Sequence, residues 1–427
     1  MHFYRIIDII VFMTMKKFTL IILLVLSFTP VFSQRLMTNA DPKIFQFKFN
    51  KNDQSRILST VNEDVYLNGR FNHNAVILNR ISSVITDVDE NGSGTADAVF
   101  MTTETSARTW NNKSSTWGEE YESVFTRDVT GKYEMEDIYF MPTVRDVPIF
   151  PDYKIKPGDT WKKQGYEAHD MRRTFGIEKP FMFPFEATYT YRGDMEGENG
   201  NVLSLIEINY NMFFTTPNLK AQTEAVLEAP KITTGYSHQK VWWDHERGQI
   251  DHYVEDFRIQ IETFSGDVIL FTGKAHAEVT EFHRANTEEN LKKITETVKE
   301  LGLENVDVKK SDRGLTISIE NIQFQPDSAF LMDSEKIKLT KIAEILKGFE
   351  NDLLITGHCA KRGSVKMQQL LSEERAAAVA EYLSKLNVRK PNCIFTQGKG
   401  ASEPIDSNLT ETGRARNRRV EITIMDK

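Results

Sequence analysis

Two groups of residues in this sequence have side chains that could hold a metal ion, but neither has the spacing that such a site needs. Residues 87–92 begin like a calcium-binding loop, yet the twelfth position is Ala98 instead of a glutamate, and strand-like segments flank the loop. A hairpin turn explains this stretch better. His245, Glu246 and His252 surround an Arg-Gly turn and lack the helical spacing of a zinc site. We therefore expect no metal site.

Catalytic motifs are not recognisable either. The sequence shows no serine elbow, phosphate-binding loop or dinucleotide fingerprint, and neither of its two cysteines lies in the context of a nucleophile. The formal net charge of -8 offers no basic stripe that would neutralise phosphates. We expect a protein that is not an enzyme, needs no cofactor and does not bind nucleic acid.

The first residues have the order of a secretory signal. Lys16 and Lys17 precede an apolar run over residues 18–28, and small residues follow Pro30. This order predicts a signal peptide over residues 1–33, with Met15 as an alternative start, and hence secretion across the inner membrane. An uncleaved anchor is the alternative, but the apolar run is shorter than the ~20 residues that span a bilayer.

Residues 34–285 alternate apolar and polar side chains between turn signals, which is the pattern of β-strands. The pattern predicts an all-β domain, either an antiparallel sandwich or barrel-like. A membrane-spanning barrel is the alternative. It needs strands of ~9–11 residues with a continuous apolar face, and the proline-rich stretch 141–161 interrupts the pattern. We expect a soluble domain.

The periodicity becomes helical after Asn286. Asn286 as N-cap, with Glu289 three residues later, predicts a linker helix that ends at Gly302, within a linker of residues 286–313. From residue 314 the predicted order is βαβαββ, which favours a mixed sheet with helices on one face. The predicted elements are strands 314–319, 353–359, 394–398 and 420–425 and helices 333–347 and 364–386.

Residues 314–427 resemble the OmpA-like peptidoglycan-binding domains. The resemblance rests on residues 322–331, 355–363, 371–379, 398–408 and 413–422, taken in order and spacing. It implies a non-enzymatic cell-envelope protein of the periplasm and outer membrane that binds peptidoglycan or a wall-associated partner. The β-rich domain would then face the outer membrane, a partner there, or a small apolar ligand.

The resemblance also implies a ligand pocket that takes the free carboxylate and amine of a diamino acid in the peptidoglycan stem peptide. Such a ligand asks for a guanidinium at the carboxylate and an acidic acceptor at the ammonium. Arg375 matches the carboxylate-binding arginine, and Asn417 and Arg418 match residues that frame the pocket. Ala360 stands where the family has an aspartate, and Gln368 where it has an asparagine.

The missing aspartate at Ala360 leaves more than one interpretation open. Losing one charge-assisted hydrogen bond would weaken the binding of diaminopimelate by about 1.5–3 kcal/mol, or ten-fold to a hundred-fold and more. A wall peptide with a different diamine would not need the aspartate. We expect peptidoglycan binding that is weakened or retuned. The alternatives are an interaction scaffold that has lost this binding, and an outer-membrane barrel with a periplasmic OmpA-like tail.

The two cysteines, Cys359 and Cys393, are predicted to remain unpaired. Cys359 lies at the end of the predicted strand 353–359, and Cys393 lies just before the predicted strand 394–398. If these strands are parallel neighbours, the cysteines are offset by about five residues, or ~15 Å along the strand. A disulfide needs Cα atoms within about 7 Å, so the sequence predicts two free thiols in spite of the oxidising compartment.

Overall fold

The structure is a computed structural model that describes residues 36–106, 115–169, 179–197, 200–216, 230–281, 285–324 and 328–426. The signal peptide predicted over residues 1–33 lies outside the described residues. Within the described residues, no helix combines the length and the apolar character needed to cross a membrane.

Residues before the first described helix form a sequence of strands. In chain order they are β1 (Gln54–Leu67), β2 (Arg70–Val88), β3 (Gly94–Ser106), β4 (Ser115–Thr116), β5 (Glu119–Arg127), β6 (Tyr133–Met135), β7 (Val144–Arg145), β8 (Thr160–His169), β9 (Phe181–Glu196), β10 (Val202–Thr215), β11 (Pro230–Asp244), β12 (Gln249–Thr263) and β13 (Val268–Glu281). All except β4 join one antiparallel sheet, in the order β6-β5-β3-β2-β1-β13-β12-β11-β10-β9-β8-β7. This large sheet is single and nearly closed, so the barrel-like alternative is confirmed and the sandwich is wrong.

The alternation of side chains along the large sheet follows the sequence pattern. On β10, Ile206 and Ile208 are fully buried, whereas Glu207 and Asn209 point to the other face. The buried face packs around Trp243. The predicted hairpin at residues 87–92 is also confirmed, because it joins β2 to β3.

The C-terminal part is an α+β domain. Its helices are α1 (Glu288–Glu300), α2 (Asp333–Leu346), α3 (Val365–Lys385) and α4 (Glu411–Asn417), and its strands are β14 (Val306–Ser311), β15 (Gly314–Glu320), β16 (Leu353–Gly357), β17 (Ile394–Gly398) and β18 (Arg419–Met425). The small sheet has the order β14-β15-β18-β16-β17-β4, with β16 and β17 parallel. Helices α1, α2 and α3 share one core with this sheet, which confirms the predicted mixed sheet with helices on one face.

Helix α1 begins one residue later than the sequence predicts. Its N-cap is Thr287, whose hydroxyl accepts a hydrogen bond from the backbone N of Asn290 at 3.1 Å. Asn286 is the wrong N-cap because its side-chain amide donates to the backbone O of Ser311 instead. Ile294 and Val298 of this helix are buried in the core of the small sheet.

The two sheets meet in an interface that the sequence did not predict. Strand β4, from the β-rich part of the chain, pairs in parallel with β17 at the edge of the small sheet. The backbone N of Trp117 donates to the O of Thr396 at 2.7 Å, and its indole meets Phe395 edge to face at 5.3 Å. Leu58, Met101 and other apolar side chains complete this contact. The C-terminal domain is therefore docked on the large sheet.

A buried ion cluster lies in the same interface. The carboxylate of Asp352 accepts hydrogen bonds from Arg56 and Arg80 of the large sheet, with 2.7 Å between its Oδ2 and Nε of Arg80. The side chain of Asp352 is fully buried and that of Arg80 is 2% exposed. One carboxylate thus neutralises two cations that β1 and β2 bring to the interface.

Candidate functional site

The candidate pocket is built on the loop that follows β16. The backbone N of His358 donates to the O of Arg419 at 3.0 Å, and the N of Cys359 donates to the O of Gly400 at 2.8 Å. Gly400 has a φ of +52°, in the left-handed region, and its N donates to Oγ of Ser372 at 2.9 Å. These bonds fix the loop between the start of β18, the turn after β17 and helix α3.

Helix α3 presents the two other predicted residues to this loop. Gln368, Ser372 and Arg375 are spaced four and three residues apart, so they lie on one side of the helix. The residue before helix α3 is its N-cap, Ser364, whose side chain accepts from the N of Met367. The local sequence therefore decides where the helix begins and which side chains face the loop.

Arg375 is half-buried and lies against an aromatic ring. Its guanidinium carbon is 4.8 Å from the ring centroid of Phe324, and its Nε donates to the backbone O of Ser328 at 3.4 Å. The positive charge of Arg375 reaches Cys359, where it opposes the larger effect of burial, which raises the pKa of the thiol. The guanidinium is thus oriented by a π face and by a carbonyl, next to the loop.

Ala360 and Gln368 have no charge to offer a ligand. Ala360 is 8% exposed and contributes a methyl group at the position where the sequence resemblance implies an aspartate. Gln368 is buried, and its side-chain amide donates to the backbone O of Gly363 at 3.0 Å, which ties down the loop. The loop is also held at the residue after Ala360, where the backbone N of Lys361 donates to Oδ1 of Asn408 at 2.9 Å. The loop keeps its shape without an anion of its own at position 360.

Asn417 lies beside the loop as a positioning residue. Its side chain is buried, accepts from the backbone N of Ile405 and of Asp406 at 2.8 and 3.0 Å, and donates to the O of Asp406 at 2.8 Å. It therefore shapes the segment that carries Asn408. Arg418 donates to Oε1 of Glu411 at 2.9 Å, in a partly exposed ion pair.

A buried polar group under the pocket was not singled out in the sequence. His358 is 2% exposed, and its Nε2 lies 3.7 Å from Oε2 of Glu421. Burial lowers the pKa of His358, against the opposing effect of Glu421. Burial alone would raise the pKa of Glu421, but His358, Arg419 and Lys309 hold it well below its usual range. The carboxylate therefore stays charged and bonds to Nε of Arg419 at 3.0 Å.

The two cysteines are free, as the sequence predicts. Strands β16 and β17 are parallel with Leu353 opposite Ile394, so Cys393 lies at one end of the pair and Cys359 beyond the other. Burial raises the pKa of both thiols, that of Cys393 to about 11.

We expect both thiols to react slowly with iodoacetamide in the folded protein at pH 8, because the reactive thiolate is scarce well below the pKa. The rate for Cys393 should keep rising up to about pH 11. Alkylation followed by peptide mass mapping measures this, with the urea-unfolded protein as the fast control. Equal rates in the folded and unfolded protein would contradict the burial of the thiols.

Comparison with known proteins assigns the domain that carries this pocket. Residues 323–418 match the OmpA family. Over 117 residues the chain is 32% identical to the peptidoglycan-associated lipoprotein of Pseudomonas aeruginosa, a match that covers 69% of that protein and 27% of this chain. The chain belongs to the OmpA family. The membership rests on the OmpA-like domain, which contains Arg375, Ala360 and the loop between them.

Other relatives match the same OmpA-like domain. Outer membrane protein A of Bordetella avium is 38% identical over 111 residues, which are 24% of this chain and 57% of that protein. The chain thus spans little more than half of that relative. A solved structure of an outer membrane protein from Borrelia burgdorferi is 34% identical to this chain, with a TM-score of 0.25. The match covers 28% of this chain and 97% of the Borrelia chain.

Proposed function

We propose that this protein is a binding protein of the cell envelope, secreted to the periplasm, which attaches to peptidoglycan through its OmpA-like domain. The β-rich domain would carry a second contact, toward the outer membrane or a partner there. The names of the relatives support an envelope role, since they include an outer membrane protein and a peptidoglycan-associated lipoprotein.

The observation that carries the proposal is the setting of Arg375. Its guanidinium is half-buried on the ring of Phe324, beside the fixed loop that contains Ala360. A planar guanidinium held in this way suits a carboxylate, because it donates in a fixed fork and loses little rotamer freedom on binding. A stem peptide of peptidoglycan offers such carboxylates. The proposed clamp therefore holds the acid group of the wall peptide without an anion at position 360.

Co-sedimentation of the full chain with purified sacculi tests the proposal. Replacing Arg375 by alanine is expected to weaken binding about ten-fold, because one charge-assisted contact contributes about 1.5–3 kcal/mol and this site is partly open to water. The measurement is the bound fraction at increasing concentrations of sacculi, with folding checked by circular dichroism.

The matched control is Lys385→Ala, at the end of the same helix. Lys385 is exposed and pairs with Glu381 at 3.0 Å, so its loss removes one positive charge but leaves the loop untouched. We expect binding like that of the unchanged protein. If Arg375→Ala binds sacculi as tightly as the unchanged protein, Arg375 does not hold the carboxylate of the wall peptide. An unchanged protein that does not sediment with sacculi would favour the scaffold that has lost its wall ligand, in line with the uncharged Ala360.

A further inference from the structure

The inner face of the large sheet is covered differently in its two halves. Along β8 to β11 it packs around Trp243 and Tyr189, and Phe45 and Phe150 from outside the sheet complete this core. Along β1, β2, β3 and β5 the same face borders a cavity of about 740 Å³. In this half, Phe49, Phe100 and Phe125 line open space instead of filling it.

The register of the strands places aliphatic and aromatic side chains on the wall of the cavity. Ile57 lies opposite Ile81, Ile81 lies opposite Phe100, and Phe125 lies opposite Ala96. Residues directly opposite each other share a face of the sheet. Ile57, Ile81 and Phe125 are half-buried although they point inward. Ser55 and Ser83 share this face and bond to each other at 2.9 Å. The rest of the wall is apolar surface that a ligand would remove from water.

The edge of the cavity is polar. Lys48, Asn50, Asn52 and Glu246 border it and are exposed. Sites for small molecules have volumes of roughly 300–1,000 Å³, mostly apolar walls and a few polar groups. The cavity has this size and this distribution of polar and apolar groups, which suits an aliphatic chain with one polar end.

One cation on the inner face, Arg127, bonds to no carboxylate among the described residues. Arg127 lines the cavity, with its guanidinium carbon 3.8 Å from the ring centroid of Phe47 and 4.7 Å from that of Tyr133. Its Nε donates to the backbone O of Gly131 at 3.0 Å, and one terminal nitrogen donates to the backbone O of Val147 and of Pro148 at 3.5 Å. In the described part of the chain, no carboxylate oxygen lies within 4.0 Å of this guanidinium.

Burial lowers the pKa of Arg127, and the nearby charges of Asp146 and Asp128 oppose this effect without a direct hydrogen bond to the guanidinium. Asp128 uses one oxygen to accept from the backbone N of Thr130, Gly131 and Lys132. Asp146 accepts from the backbone N of Tyr133 at 2.8 Å. Among the described residues no carboxylate bonds to the guanidinium of Arg127, so its charge, weakly screened by water, would attract an anion that enters the cavity.

We infer that the β-rich domain binds a single-chain aliphatic anion, of which a long-chain fatty acid is the simplest. The alkyl chain lies against Ile57, Ile81 and Phe125, and the carboxylate pairs with Arg127. This site is separate from the proposed wall-binding pocket on the OmpA-like domain and does not depend on it.

Calorimetric titration of the full chain with palmitate, dodecyl phosphate and 1-hexadecanol tests this site. We expect one palmitate per chain, and binding about ten-fold weaker for hexadecanol, which has the chain but no charge. If dodecyl phosphate binds as tightly as palmitate, the site accepts either anion. If it binds more weakly, the site prefers a carboxylate. Ile81→Trp, which fills the cavity, should abolish binding. Val124→Trp is the control, since Val124 is 44% exposed on the opposite face of β5.

The outcomes are distinct. Binding of palmitate that Ile81→Trp removes and Val124→Trp leaves intact supports the cavity as the site. Absence of palmitate binding, or equal binding by Ile81→Trp, overturns it. Equal affinity for palmitate and hexadecanol overturns the role of Arg127, and this comparison needs no variant that could fail to fold.

Discussion

Replacing Asp352 by asparagine is expected to lower the free energy of unfolding by about 3–5 kcal/mol, because it removes the buried negative charge that bonds to the buried Arg80 and to Arg56. The carboxylate of Asp352 is fully buried and bonds to both Arg56 and Arg80 across the interface between the sheets. Urea unfolding followed by circular dichroism measures the loss. We also expect unfolding in two steps, since the OmpA-like domain would come away from the large sheet first.

An exposed ion pair provides the control for this variant. Lys162 and Glu186 pair at 2.6 Å with both side chains about 60% exposed, so Glu186→Gln should cost less than about 1 kcal/mol. A loss below 1 kcal/mol for Asp352→Asn as well would show that water reaches the cluster. Replacing all three charged residues, Asp352 by leucine and Arg56 and Arg80 by methionine, should restore much of the stability.

Restoring the aspartate with Ala360→Asp is expected to strengthen binding to sacculi that contain diaminopimelate by ten-fold to about a hundred-fold. A carboxylate at this position would add a charge-assisted hydrogen bond of about 1.5–3 kcal/mol to the free ammonium of the ligand. Ala360 is buried within the loop that Gly400 and Asn408 hold in place, so the new carboxylate would be attached to a fixed backbone. Co-sedimentation at increasing concentrations of sacculi measures the gain.

The neutral variant Ala360→Asn tests whether the gain in binding comes from the charge of the new side chain or from its shape. It has nearly the shape of the aspartate, and we expect at most a small gain. If Ala360→Asp binds no better than the unchanged protein while Arg375→Ala binds worse, the wall peptide has no free ammonium at this point. The pocket would then be tuned to a different stem peptide, which was the second interpretation of Ala360.

The candidate site was only partly predictable from the sequence. The resemblance to OmpA-like domains, in order and spacing of residues, located Arg375, Ala360 and Gln368. Helix periodicity and the N-cap Ser364 then fix which side chains of helix α3 face the loop. The resemblance did not reveal that the side-chain amide of Asn417 forms hydrogen bonds with the backbone of residues 405–406. These bonds depend on a turn about eleven residues earlier in the chain. The buried pair of His358 and Glu421 was missed for the same reason.

The sequence by itself determined the two kinds of architecture and the elements of the OmpA-like domain. Strand alternation, helix periodicity and caps are local, so strand β17 falls at its predicted residues and helix α3 within one residue of them at each end. The separation of Cys359 and Cys393 followed from a parallel register that the order of elements implied.

Tertiary structure alone decided how the two parts are joined and where space remains. Asp352 meets Arg56 and Arg80 across 296 and 272 residues of chain, and β4 leaves its own sheet to extend the other. The cavity beside Arg127 is bordered by the segment before β1 and by strands β1, β2, β3, β5 and β12, which only the folded chain brings together. No local pattern encodes such contacts, because they depend on which faces meet after folding.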